Sequence, residues 1–308
     1  MNWKLKANIQ RGCAALPASE TLYYLLQSKL GSFRKNQDPM PNLRDAAVIL
    51  RELPMPLTGK RIMEVGTGRR LDMPVAFYLA GAASIDTLDL HRYMKPELVC
   101  GSLRNLLGNR DEVRTLFAPF SSAAEVDQRM EKLVNITTFE ELSKCARIRY
   151  HAPADARKTT FASGAFDVQF SFTVFEHIPG DILRDILIEA GRLLNPETGV
   201  ACHHIDLSDH CSHVDNSINQ INFLRFDDAE WSKYNDNQFA YHNRLRAPDY
   251  LEIYAQAGHE ILKRTDFVDD KSVLEIEQGF PLNAKYRGMD AKTLATVAMR
   301  LTSKKKSL

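Results

Sequence analysis

Short apolar runs broken by glycine alternate along most of this chain with longer stretches whose apolar positions recur at helical spacing. The clearest unit is at residues 61 to 81. Ile62, Met63 and Val65 form a run that suits a buried strand, and Gly66-Thr67-Gly68 breaks it. Leu71 to Ala80 then predicts an amphipathic helix closed by Gly81. A second apolar run, Ile85 to Leu90, contains Asp89. Upstream, Glu20–Leu30 and Leu43–Leu53 have helical spacing, separated by a polar break with Pro39 and Pro41. Residues 95–145 have little strand character. They exceed an ordinary crossover in length, so they predict a helical insertion with breaks at Gly108 and Pro119.

Further on, strands are expected at Ile148–His151, Phe166–Phe172, Val200–Ile205 and His259–Phe267, and helices at Asp181–Leu194 and Pro248–Ala257. Pro248 suits the first turn of its helix and Gly258 suits the cap that ends it. Leu294–Leu301 reads as a seventh strand or a terminal helix. The alternation predicts an α/β fold with a doubly wound, mostly parallel, seven-stranded sheet. The domain reading is an N-terminal helical cap at 1–58 and a main domain at 59–308. The main domain carries the insertion 95–145 and an aromatic lid or acceptor segment at 207–246.

Composition narrows the function classes. Apolar content of 44% and charged content of 26% are those of an ordinary globular chain. A net charge of +1 gives no bulk field for nucleic acid, and no apolar run is long enough to span a membrane. Five cysteines without CxxC spacing argue for a reducing, cytoplasmic setting and against a zinc knuckle or disulfide frame.

The glycine turn points to a nucleoside. Glycines at 66 and 68 let the chain turn tightly and let a ligand approach the backbone. Asp89 follows at about the distance at which an acidic residue grips a ribose diol, roughly 20 residues on. The third glycine of a dinucleotide turn is missing, because position 71 is Leu. Glu64 ends the strand instead, and a carboxylate there suits a cationic cofactor better than a pyrophosphate.

In this order and spacing the chain resembles the class I S-adenosylmethionine-dependent methyltransferases, over about residues 60–205 and more loosely to the end. The residues that carry the resemblance are Glu64-Val65-Gly66-Thr67-Gly68, Asp89 after the second strand, Asp155-Ala156 after the third, and FDVQFSFTVFEH from Phe166 to His177. The GTGRRLDMP turn is similar to that of a bacterial small-molecule and saccharide-type subgroup, with the roles of Arg69 and Arg70 unassigned. The resemblance implies a Rossmann-like methyltransferase fold and S-adenosyl-L-methionine as cofactor. It implies cofactor contacts at Glu64, Gly66, Thr67, Gly68, Asp89, Leu90, Asp155, Ala156 and Ser171, with Asp89 on the ribose and Asp155 on the adenine amino group. It also implies that acceptors lie beyond the ends of the fourth and fifth strands.

The segment after the fifth strand, HHIDLSDHCSH at 203–213, holds four of the nine histidines. Three readings stay open: polar groups that satisfy the backbone, a general base with an orienting carboxylate, or a divalent-metal site. The base reading is preferred, with no resident metal assigned. It places His210 as the base and Asp209 or Asp206 as its orienter, with His204 and then His177, next to Glu176, as alternatives. Asn243, Arg244 and Arg246 suggest a polar acceptor, charged if both arginines face inward. The expected activity is methyl transfer to a small hydroxylated molecule or saccharide, with homo-oligomerisation left open. The rivals are a non-catalytic cofactor-binding partner of the same fold and a nicotinamide oxidoreductase. The acidic set at 64, 89 and 155 weighs against the first, and Leu71 with the FSFTVFEH block against the second.

Overall fold

Ile62, Met63, Glu64 and Val65 are all buried in the first strand, β1 (Arg61–Val65). A strand covered on both faces is expected to be apolar on both, and a buried Glu64 in that position is the exception to be explained. The computed structural model describes residues 2–16, 38–237 and 239–306. The other strands are β2 (Ser84–Leu88), β3 (Ile148–His151), β4 (Val168–Phe172), β5 (Val200–Asp206), β6 (His259–Val268) and β7 (Thr296–Lys305). They form one mostly parallel seven-stranded sheet in the order β3-β2-β1-β4-β5-β7-β6. The order reverses direction between β1 and β4, where open α/β sheets form their ligand crevice.

Register decides what reaches that crevice. Val65 lies opposite Leu88, and Leu88 opposite His151, so β1, β2 and β3 end level. The second run leaves the ladder at Leu88, earlier than its apolar pattern suggests. Asp89 still donates its amide to His151, but its carbonyl accepts from the Ala154 amide (2.8 Å) and turns the chain away.

The chain divides into two compact units. The glycine-turn unit comprises Lys35–Ser171, Ile186–Cys202 and Thr302–Leu308. Its helix Asp72–Leu79 is buried at every residue, where the sequence predicts an amphipathic one. One side meets the sheet, with Phe77 edge-on to Phe170 at 4.9 Å. The rest is covered by the helix Met40–Leu50 and by Arg129, which donates to the Leu79 carbonyl (2.9 Å). The insertion consists of helices Pro96–Gly108, Arg110–Phe117, Ala123–Leu133 and Phe139–Ala146, the last two opened by the capping boxes Ser122/Glu125 and Thr138/Glu141.

The histidine unit comprises Met1–Arg34, Phe172–Asp185 and His203–Leu301. The helix expected at Glu20–Leu30 lies outside the described residues. Helix Trp3–Ala14 packs on helix Asp228–Asn235, and Trp3 sits among Phe226, Trp231 and Tyr234 with ring centroids 4.8–6.4 Å apart. These rings of the aromatic segment therefore form a satellite core. The last strand starts at Thr296, not Leu294, because Asp290 caps a short helix at Ala291–Leu294. No helix among the described residues is long and apolar enough to cross a membrane.

Trp231 is almost fully buried in that core. Trp231→Ala is expected to cost about 3–5 kcal/mol of stability, read from urea unfolding. A loss under about 1 kcal/mol would show that the aromatic segment packs loosely.

Candidate active site

The glycine turn aims two buried carboxylates at the same edge of the sheet. Glu64, at the end of β1, accepts a hydrogen bond from the Thr87 hydroxyl, which also meets the hydroxyl of Thr67. Burial pushes the Glu64 carboxyl up to about 8, against the Thr87 hydrogen bond and with the Asp89 and Asp72 carboxylates adding to the rise. Asp89 accepts from the Tyr150 hydroxyl (3.0 Å) and the Gly68 amide (3.3 Å). Burial raises it to about 7 despite those donors. Gly66 and Gly68 have φ of +85° and +70°, a backbone that L side chains rarely adopt. A Cβ built on Gly68 would meet nothing within 4 Å, so the space over the turn is open.

The remaining expected cofactor residues fall around this edge. Asp155 lines a cavity of about 420 Å³ with Leu88, His151, Ala154, Thr159 and Phe161. Its carboxylate is forked by Arg157, which holds it below the usual carboxylate range. Ala156 is buried beside it, Ser171 is fully buried in β4, and Leu90 is 60% exposed just past Asp89. Arg70 pairs with Asp72 (3.1 Å), and Arg69 lies over the Tyr93 ring, which gives both arginines of the unusual turn a local role. Two residues not singled out from the sequence belong here. Tyr150 holds Asp89, and His151 faces the cavity with its Nε2 2.7 Å from Asp86. Their only signal is their place at the end of β3.

These residues fit a cationic nucleoside. The two carboxylates can face a positive charge and a ribose diol, the open turn admits a backbone approach, and the cavity has room for a base. S-adenosylmethionine has all three features.

The histidine unit gathers the second constellation. After β4, Thr173 has φ +52°, a costly conformation for a β-branched residue, and its amide donates to the His204 carbonyl (2.9 Å). The turn Phe175–His177 follows. Asn243 braces it: its side-chain amide donates to the carbonyls of Phe175 (2.9 Å) and Ile178 (2.8 Å), and its backbone amide to that of Glu176 (2.9 Å). Glu176 is fully buried. Neither of its carboxylate oxygens meets a donor at hydrogen-bonding geometry among the described residues. Burial raises its carboxyl well above the usual range, with the nearby Glu176 and Asp206 amides only partly opposing this.

His210 stands at the centre of the imidazoles. Its ring centroid is 5.0 Å from that of His177, 4.7 Å from His242 and 5.3 Å from His213. Its Nε2 lies 3.2 Å from Asp206 Oδ2, an ion-pair distance without ideal hydrogen-bond alignment. Burial alone would raise Asp206, but His210 and the Ser208 hydroxyl and amide hold it well below the usual carboxylate range. Asp209, the other expected orienter, is occupied in its own loop, accepting from Asn222 (3.0 Å) and from the Cys211 amide (2.8 Å). His177 Nδ1 donates to the Tyr241 carbonyl (2.7 Å). His204 stacks on Phe172 at 5.0 Å, and His203 stacks on Phe175 and is driven down to about 3 by burial.

Arg244 and Arg246, whose direction the sequence leaves open, are used for scaffolding. Arg244 donates to the carbonyls of Phe223 (3.0 Å) and Phe226 (2.8 Å) and pairs with Asp228. Arg246, fully buried, donates to the carbonyls of Leu207 (2.8 Å), Leu294 (3.0 Å) and Thr296. His242 went unnoticed in the sequence. Its Nδ1 accepts from the Arg244 amide (3.3 Å), and no local pattern marks it.

Asp89 is protonated below about pH 7 in the free protein, and a ligand that needs the carboxylate expels that proton. Affinity for S-adenosylhomocysteine should therefore rise with pH, by about tenfold between pH 6 and 8 through Asp89 alone. At pH 8, Asp89→Ala should weaken binding about ten- to a hundredfold, and Asp89→Asn should flatten the pH profile. Isothermal titration across that range checks both, and an affinity indifferent to pH in the parent chain would remove Asp89 from the site.

A family model described as a methyltransferase domain matches residues 120–202, which run from the insertion into β5 and leave out the glycine turn. No curated protein matches the sequence. Among solved structures, the chain is similar to a geranyl diphosphate methyltransferase in complex with S-adenosylmethionine. The identity is 11%, covering 86% of this chain and 85% of that one, with a TM-score of 0.48. It is also similar to the geranyl diphosphate C-methyltransferase of Streptomyces coelicolor A3(2) (11% identity, 85% and 80% covered, TM-score 0.47). A third is an S-adenosylmethionine-dependent methyltransferase from Mesorhizobium loti (13%, 85% and 99%, TM-score 0.45). At these values the likeness says nothing about the acceptor. The matched segment, the sheet order and the residues at the glycine turn all fit a methyltransferase domain that takes S-adenosylmethionine.

Proposed function

We propose that this enzyme methylates an oxygen of a small hydroxylated acceptor, such as a saccharide, and that His210 removes the acceptor's proton. The observation that carries the reading is the Asp206–His210 pair. It joins an ionised carboxylate, held low, to an imidazole that is 29% exposed and so within reach of a ligand. When bound, S-adenosylmethionine supplies a methyl group on a cationic sulfur, electrophilic enough to need no activation. In this reading Glu64, Gly66, Thr67, Gly68, Asp89, Leu90, Asp155, Ala156 and Ser171 hold it, with Asp89 on the ribose hydroxyls and Asp155 on the adenine amino group.

The chain's own contribution is then position and one proton. The acceptor oxygen would take that methyl group, with the electron pair of its former bond left on the cofactor's sulfur. The hydroxyl proton passes to a ring nitrogen of His210, and Asp206 stabilises the imidazolium that forms. Asp209 supports this indirectly by shaping the loop that carries His210. His177 and His204 are the alternative bases, with His204 the weaker candidate because its ring is stacked on Phe172.

His210→Ala should lower turnover about 10²–10³-fold, a common size for a lost general base, and leave S-adenosylhomocysteine affinity unchanged. The assay is run in chelator. Full turnover in the variant would contradict the base assignment and move attention to His177.

A further inference from the structure

We propose that Glu176, His177 and His210 form a binding site for a divalent transition-metal ion, and that an ion held there silences His210 as a base. The second half rests on the base reading above; the first half does not.

Each of the three residues offers one ligand atom, and these atoms all lie within 4.8 Å of one another. His177 Nε2 and Glu176 Oε1 are already 3.9 Å apart. A tetrahedral ion with bonds of about 2.0–2.1 Å needs its ligands about 3.3 Å apart, so the side chains must close in by about an ångström. Two of them sit in one short turn, and the turn is held from behind by Asn243.

The lone pairs are prepared. Because His177 Nδ1 donates to the Tyr241 carbonyl, Nε2 is the bare nitrogen. A backbone carbonyl on the far nitrogen of a ligating imidazole is a common supporting contact, and so is a carboxylate. Asp206, 3.2 Å from His210 Nε2, stands in that relation to a His210 that binds through Nδ1. Glu176 supplies the charge. A fully buried carboxylate that no donor among the described residues meets at hydrogen-bonding geometry is costly, and a cation would satisfy it. The way in is open, because the side chains of His177 and His210 are 45% and 29% exposed.

The donor set names the class of ion. Two imidazoles and a carboxylate suit zinc, cobalt or nickel better than magnesium or calcium, which prefer oxygen alone. His242 stands apart. Its Nδ1 accepts from the Arg244 amide, so its Nε2 carries the proton and has no lone pair to offer. The functional consequence follows from His210. An imidazole that ligates an ion through one nitrogen keeps a proton on the other and cannot take a second.

The test uses the tag-free chain, stripped with chelator and titrated with Co²⁺. A visible d–d absorption band saturating at one ion per chain is expected. Glu176→Gln and His177→Ala, both checked for fold by circular dichroism, should weaken binding by at least about a hundredfold, the upper end of what a lost supporting contact costs. No band, or an unchanged affinity in folded Glu176→Gln, overturns the site. Turnover should fall in step with the band and return with chelator. Turnover that ignores the ion, or requires it, overturns the silencing. The band does not depend on activity, so a His210→Ala enzyme that stays active in chelator would fail the base reading while the metal site is judged separately.

Discussion

Burying a carboxylate is costly, and this chain does it twice at the ends of neighbouring strands. Parallel pairing sets Glu64 opposite Thr87 and Val65 opposite Leu88, so Glu64 and Asp89, just past β2, come out at the same end of the sheet. The cost appears as raised carboxyl pKa values, about 8 and about 7. Thr87, Tyr150 and the Gly68 amide offset part of it. What is left is a standing preference for a ligand that brings positive charge and hydroxyl groups. The glycines of the turn, the fully buried helix behind it and the helical insertion that covers the helix all serve to keep that pair in place.

The histidine unit follows a related rule with different donors. Its backbone bends sharply at Thr173 and again through Phe175–His177, and side chains from the aromatic segment supply the missing hydrogen bonds. Asn243, Arg244 and Arg246 all donate to main-chain carbonyls there. The segment is therefore a scaffold for the turn and the loop that carry Glu176, His177 and His210. Those three keep lone pairs, and the two histidines keep an exposure, that a purely structural cluster would not need.

The fold was legible because its signals are local. Apolar runs, glycines and helical spacing place six strands to within a few residues and leave the seventh open between strand and helix, and the short order of Glu64, Gly66, Gly68 and Asp89 suggests the cofactor end. The helix at 72–79 was misread as amphipathic, since periodicity does not report how many layers cover a helix. The histidine constellation was only partly legible. Spacing brought out His210 and its neighbours, but the choice between Asp206 and Asp209 depends on how a loop closes. Asp209 is drawn inward by Asn222, thirteen residues on. His151 and His242 gave no pattern because their partners, Asp86 and the Arg244 amide, are set by tertiary or turn geometry. Whether the arginines face inward stays open in the sequence for the same reason: sequence shows a charge, not the carbonyls that absorb it.

The central claim is that the two buried carboxylates select a cationic nucleoside over a dinucleotide. Isothermal titration of the full chain with S-adenosylmethionine, S-adenosylhomocysteine and NAD, repeated on Glu64→Gln, tests it most directly. One site is expected for each of the first two, none for NAD, and a larger loss for S-adenosylmethionine than for its uncharged-sulfur product when Glu64 is neutralised. Binding of NAD with no response to S-adenosylmethionine would contradict it.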